Sequence, residues 1–253
     1  MSKNQKKIWV TGGGSGIGKA IAEKFSNEGW KVAISGRREE ILKSVAQNKN
    51  IFDYPLDVTD EEKVSQVFKK ILDDFQNLDL CVFNAGMYDP KLEKEINKEQ
   101  IKKVMGVNFF GVLNCVKAVE KYFKDKKNGH ISIVSSVAAY RGLPNSSGYG
   151  ASKAAITNLT ESLYFDFMKH NVRISLVSPG FIKTPMTDKN NFPMPFIKSA
   201  EFAANEIYLG LVKGKSFEIH FPKIFTYLMK ILRFTPNWIY FGVIKKAYKI
   251  LKR

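Results

Sequence analysis

Tyr149 and Lys153 stand four residues apart in Tyr149-Gly150-Ala151-Ser152-Lys153, with Ser136 thirteen residues upstream of the tyrosine. On a helix over 150–170 the phenol and the ammonium share one face. A phenol titrates near pH 10, too high to exchange protons readily at neutral pH. A cation beside it favours the phenolate, so the pair predicts a lowered tyrosine pKa and acid–base work near neutrality. Ser136, donor and acceptor at once, suits a hydroxyl that holds a substrate oxygen against the phenol. Alone, a Tyr and a Lys at this spacing also describe an ordinary exposed pair.

The surrounding pattern is strand and helix in alternation. Apolar runs predict strands at Lys7–Val10, Lys31–Ser35, Phe52–Val58, Leu78–Asn84, His130–Ser135, Arg173–Val177 and Ser216–His220. Segments of 3.6 period between them predict helices from Ile17, through Val45, over Val64–Phe75, and over 98–124, 150–170 and 199–212. Such alternation implies an α/β fold, with a parallel doubly wound sheet of about seven strands and helices on both faces. The strand from His130 delivers Ser136 at its carboxyl end, the edge where ligands collect in open parallel sheets.

Thr11-Gly12-Gly13-Gly14-Ser15-Gly16-Ile17-Gly18 lies between the first strand and the first helix. There a glycine turn lets the backbone approach a pyrophosphate and aims a helix N-terminus at it, although glycines also mark plain turns. The second strand ends in Gly36-Arg37-Arg38, without the acid that binds a ribose 2′-hydroxyl. Two guanidinium groups suit a 2′-phosphate, which favours NADP(H) over NAD(H); the alternative has both facing water at the next helix. Asp57-Val58 and Asn84-Ala85-Gly86 end the third and fourth strands. Asn108 is an amide within the apolar run Val104–Val116, either a satisfied core group or a site residue. Ser178-Pro179-Gly180-Phe181-Ile182-Lys183-Thr184 ends the sixth strand. Pro185–Phe196, with three prolines and no period, reads as a mobile lid whose Met186, Phe192, Met194 and Phe196 suit an apolar ligand.

The chain of 253 residues carries a net charge of +16, and 44% of it is hydrophobic. That suits one large core. Cys81 and Cys115 sit in apolar segments and read as buried thiols in a reducing compartment. The three histidines have no ligand spacing, so no metal site is expected. Neither a signal peptide nor an apolar run of transmembrane length is apparent, which makes the cytoplasm the expected location. Lysine supplies 34 of the 40 basic residues, against the arginine forks that nucleic-acid readers favour.

Together these motifs resemble the short-chain dehydrogenase/reductase family over residues 5–220, which would make 1–220 a Rossmann-like catalytic domain. Thr11–Gly18 is similar to the family's TGxxxGxG turn, and Asn84-Ala85-Gly86 to its NAG motif, although Phe83 stands where asparagine is frequent. Asn108, Ser136, Tyr149 and Lys153 match its catalytic tetrad. The resemblance implies cofactor contacts from Gly12, Gly14, Ser15, Gly16, Ile17, Gly18, Asp57, Val58, Pro179, Gly180, Ile182 and Thr184. It also implies an NAD(P)-dependent interconversion of a carbonyl and a secondary alcohol. Tyr149 would be the general acid or base, and Lys153 would lower its pKa and hold the nicotinamide ribose. Ser136 would orient the substrate oxygen, and Asn108 would support a water-linked proton path. A homodimer or homotetramer through helices 98–124 and 150–170 is implied as well. The reading from another class is a nucleotide-binding sensor or scaffold without turnover.

Residues 221–253 depart from that pattern, with eight basic residues and no acid. They predict two amphipathic helices broken at Thr235-Pro236. In the first, Lys223, Thr226, Lys230 and Arg233 oppose Ile224, Phe225, Leu228, Met229, Ile231 and Leu232. In the second, Lys245, Lys246, Lys249, Lys252 and Arg253 oppose Ile239, Tyr240, Val243, Ile244, Ala247, Tyr248, Ile250 and Leu251. Docking on the protein itself or a sister subunit, and binding to an anionic membrane surface, both fit this pattern. Nucleic acid fits it poorly. A membrane partner would imply a lipophilic substrate.

Overall fold

The computed structural model describes residues 5–90 and 95–251, the latter without the side chains of Ile250 and Leu251. Lys252 and Arg253, expected on the basic face of the last helix, lie outside the described residues. The strands are β1 (Lys7–Thr11), β2 (Lys31–Gly36), β3 (Ile51–Pro55), β4 (Leu80–Phe83), β5 (His130–Val134), β6 (Arg173–Pro179) and β7 (Glu218–Phe221). They form one parallel sheet in the order β3-β2-β1-β4-β5-β6-β7. The order reverses at β1 and β4, which opens a crevice beyond their carboxyl ends.

Alternate side chains of each buried strand point to opposite faces. Ile8, Val10, Val32, Ile34 and Val82 pack with Ile21 and Phe25 of α1 (Gly16–Asn27), Leu42 and Val45 of α2 (Glu39–Val45), and Ala203 and Ile207 of α7 (Ala200–Tyr208). Trp9, Ala33, Cys81, Phe83, Ile131 and Ile133 pack on the other face. Their partners come from α3 (Glu61–Phe75), α5 (Gly111–Lys126) and α6 (Ser147–Met168). Burial pushes both cysteine thiols up from their ordinary range, as expected of inert core groups. Among the described residues no helix is long and apolar enough to cross a membrane.

Three expectations need correction. The third strand ends at Pro55, so Leu56, Asp57 and Val58 lie in the following loop, where Asp57 Oδ1 accepts from the Thr59 amide at 3.0 Å. The helix expected over 98–124 runs unbroken but not uniformly α-helical: α4 (Lys98–Met105) and α5 are joined by a wider π-helical turn at Gly106–Phe110. The extra residue in such a turn rotates Asn108 inward without ending the helix. A second π-helical turn, Leu209–Lys213, follows α7.

The tail forms α8 (Lys223–Phe234) and α9 (Asn237–Leu251), and the expected split between their faces is also corrected. Phe225, Met229, Leu232 and Tyr240 are buried in one cluster with Val137 and Tyr140. Thr226, expected on the polar face, is fully buried and its hydroxyl bonds His220 Nδ1 at 2.7 Å. Ile224, Leu228, Ile231 and Val243, which belong to the apolar faces, are exposed. Lys230 is anchored instead, donating to Glu218 at 2.6 Å, and Glu218 also accepts from Tyr140 at 2.6 Å.

Candidate active site

The glycine turn is fixed from below by the strand beside it. Thr11 Oγ1 accepts from the amides of Asn84 and Ala85 at 3.1 and 3.2 Å, and Asn84 Nδ2 donates back to the Thr11 carbonyl at 3.2 Å. Gly12 has φ +70°, where glycine alone is unstrained, and a Cβ on Gly18 would sit 2.1 Å from the Gly12 carbonyl oxygen. The turn therefore requires glycine at both positions. It holds the N-terminus of α1 open toward a groove of about 230 Å³.

Gly12, Gly14, Ser15, Gly16, Ile17, Arg37, Arg38, Asp57, Val58, Asn84, Ala85, Gly86 and Thr184 all line that groove. Gly18, Pro179, Gly180 and Ile182 do not. Gly18 packs beneath the turn, and Ile182 is buried in the core. Gly180 has a packing reason of its own, because a Cβ there would lie 2.8 Å from the Phe225 ring. Both arginines are exposed, and Arg38 Nη2 donates to Ser15 Oγ at 3.3 Å, spanning the mouth of the turn. Glycine backbone, a helix N-terminus and two guanidinium groups at one end make a chemically coherent seat for a phosphorylated dinucleotide.

Beyond the groove, α6 places Tyr149 and Lys153 one turn apart, with Lys153 Nζ 5.8 Å from the tyrosine ring centroid. Ser136, two residues beyond the end of β5, hydrogen-bonds the Tyr149 hydroxyl. Lys153 is 3% exposed and donates to the Val134 carbonyl at 2.8 Å. Burial draws its pKa down to about 8. The tyrosine departs from expectation. Burial raises its pKa, outweighing the opposing hydrogen bond from Ser136. Desolvation of the phenolate decides the direction.

Asn108 is fully buried and satisfied. Its Oδ1 accepts from the Met87 amide at 2.7 Å, and its Nδ2 donates to the Met87 carbonyl and Ser152 Oγ, each at 3.0 Å. Ser152 in turn donates to the Tyr149 carbonyl at 2.7 Å. Asn108 thus ties the segment after β4 to the tyrosine's own helix turn. Gly86 lies between Asn108 and Lys153, its absent Cβ 3.4 Å from one and 3.6 Å from the other.

Tyr149 and Ser136 form one wall of a second cavity, of about 690 Å³. Met186 lines both spaces, so they meet there. Phe181, Phe192, Phe225, Met229 and Ile244 make this cavity largely apolar. Of the four lid residues expected to face a ligand, Met186 and Phe192 line it, whereas Met194 and Phe196 do not. Phe196 stacks on Phe225 instead, with ring centroids 6.0 Å apart. Lys189 joins the lid to Asp89 at 3.3 Å.

Two residues here escaped sequence reasoning. The Tyr88 ring lies 4.9 Å from that of Tyr149, and its hydroxyl donates to the Asn145 carbonyl at 3.1 Å. Arg141, in the loop between Ser136 and Tyr149, closes the end of α8. It donates to the carbonyls of Leu232 and Thr235 at 2.8 and 2.7 Å and to Asn237, and it stacks 4.0 Å above the Tyr240 ring. Only the position of Tyr88 two residues after Gly86 was a sequence signal; Arg141 had none.

A sequence model of the family described as short chain dehydrogenase matches residues 6–194. The 3-oxoacyl-[acyl-carrier-protein] reductase FabG of Thermotoga maritima is 34% identical over 210 residues, spanning 81% of this chain and 83% of that protein. The structure titled "ElxO with NADP Bound" superposes with a TM-score of 0.76 at 30% identity, covering 85% of this chain and 97% of that one. A short chain dehydrogenase from Burkholderia cenocepacia in complex with NADP gives 0.81 at 27% identity, covering 95% and 97%. The 95% of this chain that is covered is too large a share to leave all of 221–253 unmatched, so part of the tail has a counterpart in that fold.

Proposed function

Because the chain belongs to the short chain dehydrogenase family of oxidoreductases, we propose that it interconverts a carbonyl and a secondary alcohol with NADP(H), acting on a lipophilic substrate. One observation carries this reading: the apolar cavity of about 690 Å³ has Ser136 and Tyr149 in its wall and meets the glycine-lined groove at Met186. NADPH bound in that groove would supply the hydride. Arg37 and Arg38 would take its 2′-phosphate, and the glycine turn its pyrophosphate. Related proteins carrying NADP in the same fold support this choice of cofactor.

In reduction, Ser136 donates a hydrogen bond to the carbonyl oxygen and Tyr149 transfers its phenolic proton to the developing alkoxide. The raised tyrosine pKa suits a group that must be protonated before turnover. Lys153 lies beside the phenol and stabilises the phenolate left behind. Asn108 sets the height of this helix turn through Ser152. Residues 1–220 act as the catalytic domain, and 221–253 as an extension whose helices α8 and α9 roof the cavity. The helices α4 to α6 provide subunit contacts for a homo-oligomer. The enzyme works in the cytoplasm and meets an anionic membrane surface through 221–253.

The test is NADPH oxidation against a panel of carbonyls of rising chain length, with Tyr149→Phe as control. Turnover by the wild type and its loss in the variant, with NADPH binding kept in both, is the expected result. NADPH binding with no turnover on any carbonyl would leave a nucleotide sensor.

A further inference from the structure

The helices α8 and α9 have two unlike sides. Phe225 and Met229 of α8, with Ile244 and Ala247 of α9, face inward and roof the cavity. On the outside of α8, Ile224, Tyr227, Leu228 and Ile231 recur at i, i+3, i+4 and i+7, a single stripe exposed by 73, 55, 47 and 64%. Phe234 extends it at 85% exposure, and after Pro236 the exposed Trp238 and Phe241 continue the apolar character. One turn further along the outside of α9 come Lys245 and Lys249, both exposed, with Lys246 beside them. This is a larger run of exposed apolar side chains than a monomer in water ordinarily carries. It has lysines next to it and no acidic side chain in 221–253.

We propose that this outer face docks on an anionic lipid bilayer, with the aromatic and aliphatic stripe inserted at headgroup depth and the α9 lysines on the phosphates. Charge complementarity selects this occupant. An apolar patch whose own segment supplies cations and no acidic residue suits a surface that is apolar within and negative without. Trp238 and Tyr227, apolar rings with a polar edge, are of the type that settles at the water–hydrocarbon boundary. The inference rests on the lipophilic-substrate reading and deepens it. The same two helices that touch lipid outside form the cavity wall inside, so a carbonyl dissolved in the bilayer has only this roof to pass before reaching Tyr149.

Of the three tryptophans, Trp9 and Trp30 are buried and Trp238 is 78% exposed, so a vesicle-induced change in emission reports Trp238. The experiment titrates the full chain with vesicles of phosphatidylcholine alone or with 30% phosphatidylglycerol, following the emission maximum and co-sedimentation. A blue shift with anionic vesicles, weakened by about tenfold or more in Lys245→Glu/Lys249→Glu, is expected. The same loss is expected in Ile231→Ser/Phe234→Ser, whose exposed sites leave the fold intact. No shift, or a shift these variants leave unchanged, overturns the proposal. A drop in oligomer mass in Ile231→Ser/Phe234→Ser without vesicle binding by the wild type also overturns it, and assigns the face to a second copy of the chain. Turnover of a short, water-soluble carbonyl without vesicles reads the catalytic proposal separately. If that activity persists while vesicle binding is absent, only the docking face falls.

Discussion

Replacing Lys153 by methionine should make the protein more stable at neutral pH and inactive. Lys153 is 3% exposed, and burial lowers its pKa from 10.5 to about 8. The unfolded chain restores the ordinary value. Between pH 8 and 10.5 the unfolded state therefore holds a proton that the folded state has released, and stability rises with pH across that window. Below pH 8 both states are protonated, and the folded state carries the full cost of a buried cation. The two pKa values convert to about 3 kcal/mol at pH 7 and to under about 1 kcal/mol at pH 10. Methionine keeps much of the stem and removes the charge, but leaves the Val134 carbonyl without its donor, a loss of about 1 kcal/mol. Lys153→Met should then exceed the wild type by about 2 kcal/mol at pH 7 and match it near pH 10. Urea unfolding of both proteins at pH 7, 8.5 and 10 measures this, with equal slopes as the check on comparable unfolding. A variant less stable at pH 7, or a difference that does not move with pH, would refute the reasoning. A gain in stability with loss of NADPH oxidation would mean the lysine is kept for chemistry at the expense of the fold.

Two further outcomes follow from arginine geometry. Arg38→Ala should weaken NADPH binding roughly 10- to 100-fold, the range of a lost hydrogen bond to a charged group, and leave NADH nearly unchanged. Fluorescence titration with both cofactors separates this from damage to the Ser15 turn, which would weaken both alike. Arg141→Ala should loosen α8 and α9, lowering stability by about 3 kcal/mol and raising KM for long carbonyls more than for short ones. Arg141→Lys should rescue little, because one ammonium nitrogen at the place of Nη1 would leave Asn237 without its Nη2 donor and lose the planar stacking on Tyr240. Limited proteolysis within 223–251 and paired kinetics on both substrates check this.

The strand–helix alternation was legible because each buried strand is a short apolar run and each helix keeps its period. The glycine turn was legible because its backbone tolerates no other residue at Gly12 or Gly18. Hidden features depended on distance or on energy. The π-helical turn at Gly106–Phe110 leaves the apolar pattern of 98–124 continuous, so nothing along the chain marks the extra residue. Arg141 finds its carbonyls 91 and 94 residues away, a pairing no local pattern encodes. The direction of the Tyr149 shift was missed because spacing reports a nearby lysine but says nothing of the burial that desolvates the phenol. On α8 the apolar arc is wider than one docking face can cover. Composition alone therefore could not say that Phe225 and Met229 turn inward while Ile224 and Ile231 turn out.

That division also decides how the tail must be tested. Truncation before Lys223 would uncover Val137, Tyr140 and Phe181 and leave the space beside Gly180, which Phe225 fills, open to water. Losing four buried anchors, Phe225, Met229, Leu232 and Tyr240, costs several kcal/mol at roughly 1.5–3 kcal/mol for each large apolar side chain. That is a large part of what holds a domain of this size folded. A truncated chain that failed to bind vesicles would report its own unfolding. Substitutions confined to the outer stripe leave those anchors and the Glu218–Lys230 pair in place. Loss of vesicle binding in such a variant, with its melting temperature and short-carbonyl turnover unchanged, reports the surface alone.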